Sequence, residues 1–166
     1  MTIRRHIWAP ALGTLTLAAL AATTPAQAQY RQEISNDPAK CAAGAGPAVA
    51  VSITGIKESK GIIRVQSYRG TERDWLEKGR WIYRMEAPAR AGTMRFCMPV
   101  PGPGQYGIAV RHDINGNGDT DIFTDGGAMS NNPSINIFNL GKPSYKKTAF
   151  AVGKSVERIS IRMRYR

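Results

Sequence analysis

Apolar and polar residues alternate in short runs along this chain, and the alternation has a period of two. Val49, Val51 and Ile53 are separated by Ala50 and Ser52, and Ile63, Val65 and Ser67 by Arg64 and Gln66. The same pattern returns at Trp81, Tyr83 and Met85, at Met94, Phe96 and Met98, and at Tyr106, Ile108 and Val110. A period of two places one set of side chains on a single face of an extended strand. Residues 146–152 and 156–165 supply two further strands, and Gly and Pro turns separate the runs. About seven strands with one-sided alternation predict an all-β fold, an antiparallel β-sandwich. Helical spacing is nearly absent. Residues 71–78 form the one candidate, with Thr71 as N-cap, an acidic first turn and a stop at Gly79.

The ends depart from this pattern. Residues 1–28 read as a signal peptide: Arg4 and Arg5, an apolar stretch over 11–22, then Ala26-Gln27-Ala28 with small residues where signal peptidase reads. Pro10, Thr14, Thr16 and Pro25 interrupt the stretch, which argues against a membrane anchor. Residues 29–47, rich in Ala, Gly, Asn and Pro, read as an irregular N-terminal arm, and residues 48–166 as the β-sandwich domain. No later apolar run is long enough to span a bilayer, so the mature chain is expected to be periplasmic or secreted, without a transmembrane segment.

Export changes the reading of the two cysteines, Cys41 and Cys97. In an oxidising compartment they are expected to pair, with two separate buried thiols as the alternative. Cys97 alternates with Phe96 and Met98, so a bridge would pin the arm across the outside of a sheet. Removing Arg4 and Arg5 with the leader takes the formal charge from +11 to +9, still strongly basic.

Against that excess, 4 of the 12 acidic residues fall between positions 113 and 125. The run Asp113-Ile114-Asn115-Gly116-Asn117-Gly118-Asp119-Thr120-Asp121 matches the start of a calcium loop. Side-chain oxygens at alternate positions can converge on one hard cation, and Gly118 permits the backbone reversal. The candidate metal residues are Asp113, Asn115, Asn117, Asp119, Asp121 and Asp125. Thr124 stands at the twelfth position where an EF-hand has Glu, and no helices flank the loop, so an EF-hand is rejected. The competing reading is a long hairpin loop in which the Asn-Gly pairs make turns.

The segment Gly104-Gln105-Tyr106-Gly107-Ile108-Ala109-Val110, running into His112-Asp113-Ile114-Asn115-Gly116-Asn117-Gly118, resembles the core of domain of unknown function 2141, a family of bacterial secreted proteins. Asp121, Ser130-Asn131-Asn132 and the stretch from Pro143-Ser144-Tyr145 to Ala149-Phe150 extend the resemblance over about residues 48–164. The resemblance implies an exported sandwich of the transthyretin or carboxypeptidase-regulatory-domain kind, and it implies no activity. Asp125-Gly126-Gly127 departs from the family pattern, where relatives carry a Pro and Glu stretch.

Two further features bear on function. His112, the one histidine after residue 28, shares strand parity with Tyr106, Ile108 and Val110 and is read either as a core histidine or as a metal ligand or general base. On the last strand, Ile159, Ile161 and Met163 alternate with Arg158, Arg162, Arg164 and Arg166. Those arginines are either charges protecting an edge strand or a surface for an anionic envelope component. Nucleic acid is not expected, because export removes the usual partner and no aromatic platform accompanies the charge. The expected function is a non-catalytic binding or structural module of the bacterial envelope with a calcium-binding loop. The alternative is a metal-dependent envelope enzyme built near His112 and Asp113.

Overall fold

The computed structural model describes residues 30–135 and 141–166. The signal peptide expected over residues 1–28 lies outside the described residues. In chain order the elements are β1 (Gln32–Glu33), a 3₁₀ turn (Pro38–Cys41), β2 (Ala48–Ile56), β3 (Ile62–Arg69), β4 (Tyr83–Pro88), β5 (Gly92–Pro99), β6 (Gly104–Asp113), β7 (Gly126–Met129), α1 (Tyr145–Thr148), β8 (Phe150–Val152) and β9 (Val156–Arg162). Among the described residues no helix is long and apolar enough to cross a membrane.

Two sheets face each other. The larger runs β1-β4-β3-β6-β7, with β8 paired to the start of β6, and the smaller runs β5-β2-β9. Val49, Val51, Ile53, Phe96, Met98 and Ile161 point inward from the small sheet, and Ile63, Val65, Met85, Tyr106, Ile108 and Val110 meet them from the large one. Each such burial stabilises the fold by roughly 1.5–3 kcal/mol. Tyr106 is wholly buried, and its hydroxyl donates to the Gly102 carbonyl at 2.8 Å, which resolves the one polar atom that its ring carries into the core.

The sandwich is therefore as expected, with two corrections. The sheets are mixed: β1 pairs with β4, and β9 with β2, in parallel. Alternation is the same for either direction, so the pattern could not distinguish them. The described residues also hold nine strands, because β1 has two residues and β7 is Gly-Gly-Ala-Met, neither with an alternation to read.

The helix expected over residues 71–78 is not formed. Asp74 and Trp75 both donate their amides to the Thr71 carbonyl, and Leu76 then takes φ 55°, which ends the turn. Thr71 is no N-cap acceptor; its hydroxyl donates to the Asp74 carboxylate. Trp75 accounts for the difference, because its indole lies on the outer face of the large sheet with Tyr68, Trp81 and Met129. Its Nε1 donates to the Pro143 carbonyl at 2.8 Å. Gly107 makes that seat, since a Cβ there would come within 2.5 Å of the indole. The strand expected over 146–152 is divided between α1 and β8, and the one expected over 156–165 stops at Arg162. Beyond it, Arg164 bridges to Gly127 of the other sheet.

The bridge from Cys41 to Cys97 is present, with Cα atoms 5.7 Å apart, and it ties the 3₁₀ turn of the arm to β5 on the side away from the core.

Candidate functional site: the β6–β7 loop and the arginine face

The loop that follows β6 begins at a strand end fixed from inside. His112 is fully buried, and both ring nitrogens are engaged: Nε2 with the Lys60 carbonyl at 2.7 Å and Nδ1 with the Tyr165 hydroxyl at 2.7 Å. A carbonyl only accepts, so Nε2 carries the proton and Nδ1 accepts from Tyr165 when the ring is neutral. The histidine thus cross-links the β2–β3 turn to the chain after β9. Burial pushes the Tyr165 hydroxyl above its usual pKa.

The calcium-loop residues do come together, and they satisfy one another. The Asp113 carboxylate, 3% exposed, accepts from the amides of Gly116 and Gly118 at 2.8 and 2.9 Å. Asn115 and Asn117 accept from the amides two residues on, and their side-chain nitrogens both donate to one oxygen of Asp121. Asp125 turns inward and accepts from the amides of Ile114 and Asp121. Asp119 stands exposed at the loop surface.

A positive charge is already supplied to this loop, by Arg111. Its guanidinium donates to Asp113, to the Gly118 carbonyl at 2.7 Å and to Thr120 Oγ1. Burial and the neighbouring Arg64 draw its pKa below the ordinary arginine value, while Asp113, Asp125 and Glu86 act in the opposite sense. The oxygens of Asp113 and Asp121 lie where the spacing of a calcium loop puts them, but an arginine and four amide nitrogens point at them. The set fits a loop closed by Arg111 better than one closed by a metal. Arg111 was missed in the sequence; its place two residues before Asp113, on the same face of β6, is the signal that would have found it.

The Ser-Asn-Asn run has a structural task as well. Ser130 is buried and joins β6 to the last residue of α1, through the Ile108 amide and the Thr148 carbonyl. Asn132 lies along the free edge of β9: its Nδ2 donates to the Ser160 carbonyl and its Oδ1 accepts from the Arg162 amide. Asn36 of the arm does the same on the opposite edge, against the Arg95 carbonyl and the Cys97 amide. Each side-chain amide stands in for a neighbouring strand's peptide group.

Between those two capped edges, the outward positions of β5, β2 and β9 carry three arginines, beside the 3₁₀ turn that the disulfide holds over Cys97. Register sets these positions in rows across β9, β2 and β5: Arg158, Ala50 and Cys97, then Ser160, Ser52 and Arg95, then Arg162, Thr54 and Thr93. Arg95, Arg158 and Arg162 are exposed, and among the described residues their side chains have no ion-pair partner. Arg95 was not among the arginines expected here, because a residue two strands away is invisible to alternation along one strand. A separate open cleft of about 380 Å³ lies between the 71–80 turn and α1, with Trp75, Leu76 and Tyr145 along it and Glu72, Glu77, Lys142 and Lys146 at its rims.

A family model described as "Uncharacterized protein conserved in bacteria (DUF2141)" matches residues 51–160. No curated protein and no solved structure matches the chain.

Proposed function

We propose, for a chain that belongs to the DUF2141 family of uncharacterized bacterial proteins, that it is an exported, non-catalytic β-sandwich that holds an anionic component of the envelope. The observation that carries this reading is the unpaired arginine face. Arg95, Arg158 and Arg162 surround a floor of short side chains, Ser52, Thr54, Thr93 and Ser160, with no acidic side chain at the outward positions between them. Arg158 and Arg162 lie four residues apart on one strand, which sets their Cα atoms roughly 13 Å apart, a span that suits a polymer with repeated carboxylate or phosphate groups. The non-catalytic part is supported by His112 and Asp113, whose polar atoms are engaged in holding the fold. A metal-dependent enzyme centred there would have to break those bonds. Export is proposed from residues 1–28 and fits the disulfide, and N-terminal sequencing of the mature protein that found residues 1–28 retained would overturn it.

Titration with soluble polyphosphate tests the main reading. Replacing Arg95, Arg158 and Arg162 together by Gln should weaken binding by about tenfold or more, with steep loss of wild-type binding at high salt. Unchanged affinity in the triple variant would overturn it.

Calcium at the loop is the second reading, favoured by the convergence of Asp113, Asn115, Asn117 and Asp121. Sharing the loop with Arg111 would keep binding weak, with a dissociation constant on the order of 10⁻⁴ to 10⁻³ M. At millimolar calcium the tighter limit stabilises the fold by roughly 1.4 kcal/mol. The melting temperature should then rise with calcium, fall with chelator, and cease to respond in Asp113→Ala.

A further inference from the structure

The loop that Arg111 closes also presents something to solvent. Ile122 is 57% and Phe123 77% exposed, and they are the large hydrophobic side chains that stand exposed among the described residues. Scattered apolar residues at a surface need no explanation, but here two adjacent ones are raised on a braced turn. Thr124 and Asp125 both donate their amides to the Asp121 carbonyl, and the Asp125 carboxylate anchors the turn to Ile114 and Asp121. The apolar pair is therefore held in position before it meets anything, which removes much of the ordering cost of burying it.

Basic side chains stand at the same end of the sandwich. Lys57 donates its amide to the Tyr165 hydroxyl and Lys60 gives its carbonyl to His112, at the strand end where the loop begins, whereas the guanidinium of Arg164 reaches back to the Asn132 carbonyl beside β9. Lys57 and Lys60 are both exposed. The acidic groups nearby are accounted for: Asp113 and Asp125 are buried and bonded, Asp121 receives two amides, Glu58 is half-buried and Glu86 is paired with Arg64, which leaves Asp119 exposed without an ion pair among the described residues.

We propose that Ile122 and Phe123 insert into an anionic lipid bilayer while Lys57 and Lys60 engage its headgroups, so that the loop is a peripheral membrane anchor. The proposal rests on the anionic-envelope reading and adds to the arginine face a contact with a lipid surface at this end of the molecule. A protein partner is disfavoured by size, because two side chains fall far short of the roughly 800 Å² that each side of a stable interface buries. An apolar wedge combined with basic residues supplies the two signals that peripheral attachment needs.

Co-sedimentation with vesicles tests it, comparing phosphatidylcholine alone with phosphatidylcholine containing about 30% phosphatidylglycerol. The protein should partition about tenfold more onto the anionic vesicles. Ile122→Ser with Phe123→Ser should remove about tenfold of that binding while leaving the melting temperature and polyphosphate binding unchanged. Emission of Phe123→Trp should shift to the blue when anionic vesicles are added. Wild-type levels of vesicle binding in the double Ser variant, or polyphosphate binding with no vesicle binding, would overturn the anchor and leave the anionic reading in place. Binding to neither probe would overturn both.

Discussion

Tyr68 illustrates how a single buried hydroxyl ties stability to pH. Burial under Trp75 and Trp81 pushes its pKa up to about 12, against the opposing pull of Arg84 and Arg64. The folded state therefore keeps its proton where the unfolded chain loses it. Stability is full below pH 10, the unfolded value, and falls as pH rises toward 12, by roughly 2–3 kcal/mol for a shift of this size. Denaturant melts across that window should show the loss, and Tyr68→Phe should flatten it. Gly107 is as specific: Gly107→Ala drives a methyl into the Trp75 ring and should cost about 1–3 kcal/mol in a thermal or denaturant melt. At the loop, Arg111→Gln removes the internal cation from Asp113. The variant should bind calcium more tightly than the parent in a calorimetric titration, and equal or weaker affinity would deny Arg111 that role. These residues differ in how readily the sequence revealed them. His112 and the spacing of the loop stood out by residue type, whereas Arg111 and Gly107 matter for what lies across from them, which only the folded chain brings near.

Among the elements, legibility followed alternation. β2, β3, β5 and β6 each bury every second side chain over several residues, and their cores were readable at the level of the individual residue. β7 and β1 are made by their partners, and the 71–78 segment followed the packing of Trp75 in preference to its own helical propensity. The two asparagine-capped edges give a prediction at this scale. A bare strand edge exposes amides and carbonyls that pair with other chains. Asn36→Ala and Asn132→Ala should each cost about 1–2 kcal/mol, and the double variant should self-associate in analytical ultracentrifugation where the parent does not. A monomeric double variant would show that the arginines beside those edges suffice to keep them apart.

At the scale of the molecule, the arm closes one side of the sandwich. β1 extends the large sheet along β4, while Asn36 and the disulfide attach the next residues to β5 of the small one. The bridge spans a separation of 56 residues, for which the loss of chain entropy in the unfolded state predicts about 4 kcal/mol of stabilisation. Reduction, or Cys41→Ser with Cys97→Ser, should lower the melting temperature accordingly while the large sheet keeps its circular-dichroism signature. A fall of less than about 1 kcal/mol would mean that β1 and Asn36 hold the arm without the covalent link.

The parallel pairing of β2 with β9 bears on timing. Ala48 to Thr54 take partners at Val156 to Arg162, so the small sheet remains a two-stranded ribbon until nearly the whole chain is present. Such a ribbon is at best marginal in water. Contacts between residues so far apart in sequence also make folding slow, on the scale of milliseconds to seconds for β-rich domains. Shortened chains that end before β9 should stay open and protease-sensitive, while the full chain should gain resistance in one cooperative step. A small sheet on that schedule suits the export proposed above, since a narrow translocation channel accepts a chain whose strands have not yet closed.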